Sequence, residues 1–106
     1  MQHVTSYTEF SDIISSSEAV LLYVSSPGCS VCHALLPQVK VLMQEFPRVT
    51  MVYANTGIAP DIAGQLTVFS VPAVLFFLKG KEQFRAVRFV PIGGLRESIG
   101  DALKII

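Results

Sequence analysis

The chain has 106 residues, 51% hydrophobic and 15% charged, and its eight basic and eight acidic side chains cancel to a formal net charge of zero. That balance excludes a disordered polypeptide, and it excludes the basic surface that nucleic acid or an anionic membrane would require. The length suits one domain over residues 1–106 that buries a core without disulfide staples. The longest apolar run, Val71 to Leu78, is far shorter than a membrane span. Met1-Gln2-His3-Val4 offers no basic region followed by an apolar core, so no secretory signal is expected and the expected compartment is the cytoplasm. There a cysteine pair is catalytic, redox-sensing or metal-binding more often than structural.

A short first strand is expected near His3-Val4. Ser6-Tyr7-Thr8-Glu9 has the form of a capping box, with Ser6 as cap and Glu9 reaching back. Tyr7, Phe10, Ile13 and Ile14 then mark one face of a short helix, which Ser15-Ser16-Ser17 ends. Ala19 to Ser25 is apolar on both faces, the pattern of a central strand. Next comes Ser26-Pro27-Gly28-Cys29-Ser30-Val31-Cys32-His33, which holds both cysteines of the chain. Behind it Leu35, Leu36, Val39, Leu42, Met43 and Phe46 form a helical stripe. Pro37 lies inside that stripe and has no N–H for the His33 carbonyl, which predicts a kink; Pro47 is the predicted stop.

Val49 to Ala54 is a second β-rich run, closed by the turn residues Asn55-Thr56-Gly57. Pro60 opens a short helix through Leu66, with Gly64 weakening it. Ala73 to Leu78 is a strong strand, and Lys79-Gly80-Lys81 predicts a hairpin turn into Gln83–Val90. Arg85 and Arg88, on opposite faces of that last strand, give it the composition of a protected edge. Gly93-Gly94 is expected to break the chain before a final helix carrying Leu95, Ile99, Ala102, Leu103 and Ile106. The order βαβαβαββα predicts an α/β fold with a mixed central sheet flanked by helices on both faces.

Two thiols three residues apart on a strand-to-helix turn suit dithiol redox chemistry. Cys29 would sit at a helix N-terminus, where unpaired N–H groups and the helix dipole favour an anion. The thiolate is the attacking form, so this placement favours reaction near neutral pH, with Cys32 one turn further in and more buried. The same spacing also suits half of a zinc site, for which only His33 and the distant His3 could supplement the pair, or two small apolar residues.

In this order of elements the chain resembles the thioredoxin family. The features that carry the resemblance are Cys29, Cys32 and Pro37 after a central strand, and Val71-Pro72 at the head of the strand Ala73–Leu78. Lys79-Gly80 in the hairpin and Gly93-Gly94 before the last helix complete it. The resemblance implies a thioredoxin fold and a cis Val71–Pro72 bond that brings the Val71 backbone beside Cys29, where an extended substrate strand can pair. It also shows departures. Gly28 stands where a tryptophan is usual and leaves the rim of the partner site small; Ser30-Val31 stands between the cysteines. Tyr23 stands where a buried aspartate often assists the second thiol, Tyr53 replaces a lysine, and Ala73 replaces a threonine. With a reference pKa of about 10, tyrosine is a poor base at neutral pH.

The expected function is thiol–disulfide exchange through a reversible Cys29–Cys32 disulfide, with no bound cofactor. The expected partners are disulfide-containing proteins, with a dithiol reductase or a small thiol as electron donor. Gly28, Val71, Pro72 and Phe69 are the candidate substrate-binding residues, and Ser30, Val31 and Tyr23 the candidates for tuning the redox pair. Phe69 is a partner contact if exposed and core if buried. His33 is either a local cation for the thiolate or a plain exposed helix residue. Two alternatives stand beside this expectation: a binding module or redox sensor with little turnover, and a metal or iron–sulfur site shared across a dimer. Against the second, a cis-proline packed over the cysteines would limit ligand access.

Overall fold

The computed structural model describes residues 1–106. Five strands and four helices follow one another, alternating except at the β4–β5 hairpin: β1 (Gln2–Val4), α1 (Tyr7–Ser16), β2 (Ala19–Ser25), α2 (Ser30–Met43), β3 (Thr50–Asn55), α3 (Pro60–Leu66), β4 (Ala73–Leu78), β5 (Lys81–Val87) and α4 (Ile92–Leu103). The strands form one mixed sheet in the order β1-β3-β2-β4-β5. β1 and β2 pair parallel with β3, while β4 runs antiparallel to both β2 and β5. The expected mixed sheet, covered on both faces, is what the chain forms.

β2 lies at the centre because every one of its residues is buried. Its alternating side chains feed two separate cores. Leu21 and Tyr23 pack with Val39, Leu42 and Ile99 of α2 and α4, whereas Val20, Leu22 and Val24 pack with Phe10 and Ile62 of α1 and α3. Fully burying a side chain of this size contributes about 1.5–3 kcal/mol, so the central strand is held from both sides. Phe10 meets Phe77 edge-on at 5.3 Å between ring centroids, which fixes α1 against β4.

Local chemistry sets the ends. The Glu9 N–H donates to Ser6 Oγ at 3.1 Å, as a capping box requires. The Glu9 carboxylate reaches one residue further back than expected and accepts from the Thr5 N–H and hydroxyl, which hold its pKa below the usual carboxylate value. In the β4–β5 hairpin both turn residues take positive φ, Lys79 at 49° and Gly80 at 80°, matching the twist of the flanking strands.

Several expectations need correction. α2, which contains Pro37, ends at Met43, short of the expected stop at Pro47; the N–H groups of Gln44, Glu45 and Phe46 then bond three residues back, leaving Phe46 partly buried in a tightened last turn. Gly93 and Gly94 do not break the chain. They lie in the first turn of α4, where N–H groups lack intrahelical partners in any case and weak helix formers cost least. β5 begins at Lys81 and stops at Val87, so Arg88 is not an edge-strand residue opposite Arg85. Arg88 takes φ 68°, outside the strand region, and its N–H donates to the Pro72 carbonyl at 2.7 Å. Arg85 does sit on the edge strand, paired with Glu82 and donating to the Leu66 and Thr67 carbonyls at the end of α3.

Candidate active site

β2 ends at Ser25, and Ser26-Pro27-Gly28 turns the chain into α2. The turn needs Gly28 for its backbone, which has φ +74°; a Cβ there would meet no atom within 4 Å, so the rim beside Cys29 is low and open. Gly57 is constrained differently. A Cβ at Gly57 would lie 2.5 Å from Cγ of Pro27, so the loop after β3 can press against the cysteine loop only without a side chain.

Cys29 is the N-cap of α2, and its Sγ accepts from the Cys32 N–H at 3.2 Å. One of the unpaired donors of the first turn is therefore aimed at this sulfur, an arrangement that also favours its thiolate. Cys29 and Cys32 form a disulfide, with Cα atoms 5.3 Å apart. The two sulfurs differ in access as expected. Cys32 is 1% exposed and belongs to the core under α2 and α4, whereas Cys29 is half-buried and opens to the surface.

Tyr23 lies beneath the pair, fully buried. Its hydroxyl donates to the Cys32 carbonyl at 2.6 Å, pinning the first turn of α2 to the central strand rather than addressing a thiol. Its ring stacks on Tyr53 at 6.1 Å. Burial, with a smaller effect from Tyr53, pushes the Tyr23 pKa up to about 12.

The antiparallel register of β2 and β4 pairs Val24 with Ala73 and so delivers the head of β4 to the cysteine loop. The Val71–Pro72 bond there is cis, as the resemblance implied. An open groove of about 790 Å³ brings Gly28, Cys29, Ser30 and Val31 together with Val71 and Pro72. Phe69 borders the adjoining depression, which shares Val71, and is 89% exposed, so of its two readings it takes the surface one. His33 is exposed on α2; His3 is exposed on β1 with its ring 4.9 Å from Tyr53. No three His, Cys, Asp or Glu side chains converge anywhere in the chain.

Two residues of the groove escaped the sequence reading: Arg88 and Phe89. A signal for them existed. Counting outward from the hairpin turn places Ala86 opposite Ala73; a bulge between Phe76 and Phe77 shifts the pairing by one, so Val87 faces Ala73 and the next residues run alongside Pro72 and Val71. The Tyr23–Tyr53 stack was legible in the same way, since parallel pairing of β2 and β3 puts the two tyrosines side by side.

The comparisons agree with this geometry. The thioredoxin family profile matches residues 1–100. The thioredoxin-like protein YdfQ of Bacillus subtilis is 33% identical over 99 residues, covering 93% of this chain and 88% of that protein. Thioredoxin of Chlamydia trachomatis is 34% identical over 87 residues, covering 82% of this chain and 84% of that one. Among solved structures, mitochondrial thioredoxin 3 of Saccharomyces cerevisiae is similar with a TM-score of 0.87 at 23% identity, over 95% of this chain and 94% of that chain, which speaks for the fold. With its disulfide at the start of α2 and its cis-proline beside it, the chain belongs to the thioredoxin family.

Proposed function

We propose that this chain, acting as one domain, is a thiol–disulfide oxidoreductase that reduces protein disulfides. The observation that carries the proposal is the unequal pair: Cys29 sits at the mouth of an open groove with a helix N–H on its sulfur, and Cys32 is buried directly behind it. In the reduced state the Cys29 thiolate attacks one sulfur of a substrate disulfide. That S–S bond breaks, and the other substrate sulfur leaves as a thiolate and takes up a proton. Cys32 then loses its proton and attacks Cys29 Sγ, forming the Cys29–Cys32 disulfide and releasing the second substrate thiol. The substrate gains two electrons and two protons. A dithiol reductase or a small thiol restores the pair by the reverse exchange, with no bound cofactor.

Substrate would lie along Val71 and Pro72 with Gly28 leaving room, and the exposed Phe69 ring offers an apolar contact beside it. Ser30 and Val31 lie between the sulfurs and set the surroundings of the Cys29 thiolate. No helix of the chain is long and apolar enough to cross a membrane. We assign the exchange to the cytoplasm, where reduced thiols prevail.

A binding module or redox sensor with little turnover is favoured by one observation: the position that could assist Cys32 holds Tyr23, already committed to a backbone carbonyl. Reduction of insulin disulfides with dithiothreitol as donor decides between the two. The oxidoreductase predicts turnover at least tenfold above the uncatalysed rate, abolished in Cys29→Ser. A wild-type rate equal to background overturns it in favour of the binding module.

A further inference from the structure

The groove at Cys29 is lined by a single ionic side chain, Arg88. Of the seven other cations four are engaged, Arg48 with Glu18, Arg85 with Glu82, Arg96 with Glu45 and Lys104 with Asp101, while Lys40, Lys79 and Lys81 form no ion pair and lie outside the groove. The Arg88 guanidinium makes neither an ion pair nor a hydrogen bond, although its backbone N–H is fixed to the Pro72 carbonyl at 2.7 Å. Its φ of 68° belongs to the left-handed region that favours glycine, so the position holds a cation against local backbone preference. Beside it the Phe89 N–H turns back to the Val87 carbonyl at 2.8 Å, and the Phe89 ring is left 81% exposed on the same groove. An unpaired cation and a bare aromatic ring thus stand together next to the reactive sulfur, with no carboxylate among the groove residues.

We propose that Arg88 and Phe89 select the substrate: a disulfide in an extended segment that carries an Asp or Glu close to its cysteine, with an apolar side chain for Phe89 to cover. This rests on the oxidoreductase proposal and adds the substrate class. A carboxylate gains a charge-assisted contact to the guanidinium, whereas a lysine at the same place meets like charge. The chain as a whole has zero formal charge, so no long-range field favours either kind of partner and the discrimination is local.

The test uses two disulfide-cyclised peptides that differ only in having Glu or Lys beside each cysteine. Prereduced wild-type protein is mixed with each at low ionic strength, and the released dithiol peptide is followed by chromatography. Each rate is divided by that for dithiothreitol, which removes intrinsic differences between the peptides. The Glu peptide should react about fivefold faster, the order expected of one exposed charge pair. Arg88→Gly, which fits the backbone, should bring the ratio to about one; Arg88→Lys should preserve it and Arg88→Glu invert it. Added salt should shrink it. Equal rates for both peptides, or a ratio unchanged in Arg88→Gly, overturn the selection and leave the oxidoreductase proposal standing. Failure to reduce either peptide overturns both.

Discussion

Tyr23 stands where the resemblance to the thioredoxin family implies a buried carboxylate. Where a carboxylate would accept a proton from the second thiol, the chain has a phenol whose proton is given to the Cys32 carbonyl at 2.6 Å. With its pKa pushed up to about 12 by burial, it stays neutral across the working range and cannot act as base. General-base help is typically worth about 10²–10⁴-fold, so resolution by Cys32 should be slow at pH 7 and accelerate toward the Cys32 pKa. Single-turnover release from a preformed Cys29 mixed disulfide, followed from pH 6 to 9, should rise steadily with pH. Tyr23→Asp should raise the neutral rate while costing about 3 kcal/mol of stability, because the buried carboxyl loses hydration. Tyr23→Phe should keep the wild-type profile over that range. It should also remove a loss of stability at high pH. The folded pKa is raised above the unfolded value of about 10, so the wild-type contribution is complete below pH 10 and disappears between pH 10 and about 12. A flat release profile would mean that proton transfer does not limit this protein.

Among the elements, the loop after β3 and the turn before α2 hold each other in place through Gly57 and Pro27. Gly57→Ala would bring a methyl group to 2.5 Å from a proline ring that cannot swing aside, and should destabilise by about 1–3 kcal/mol. Gly64→Ala is the contrast: it lies within α3 with no atom inside 4 Å of the new Cβ, and should stabilise by about 0.5–1 kcal/mol. Urea unfolding midpoints should move in opposite directions, and shifts of the same sign would contradict this account of the cysteine loop. How far such elements were legible depended on how much of their signal was local. β2 and β4 were plain because strands buried on both faces read as unbroken apolar runs, and the cysteine turn was plain from spacing and the flanking pattern. The end of β5 was not. Val87-Arg88-Phe89-Val90 has the β-rich composition of a strand, and only the left-handed φ at Arg88, where its N–H meets the Pro72 carbonyl, turns it out of the sheet and into the groove. Gly93-Gly94 misled for the opposite reason, since a helix tolerates in its first turn what it resists in its interior. The partner of the Tyr23 hydroxyl was out of reach because it depends on how the first turn of α2 sits over the strand.

At the scale of the molecule, a single sheet carries one core on each face, and β2 contributes to both while ending in the cysteine loop. The loop is therefore anchored to the most buried strand, while the groove residues Arg88 and Phe89 come from a segment exposed beyond the edge strand. A rigid centre holds the sulfurs and the periphery meets the substrate. The central claim is the division of labour between those sulfurs, with Cys29 attacking and Cys32 resolving. Its most direct measurement is incubation of reduced Cys32→Ser with native, disulfide-bonded insulin, followed by non-reducing mass spectrometry and peptide mapping. The account predicts a covalent adduct on Cys29 that dithiothreitol releases, with no adduct in Cys29→Ser, where the remaining thiol is buried. No adduct in Cys32→Ser, or equal adducts in the two variants, would contradict it.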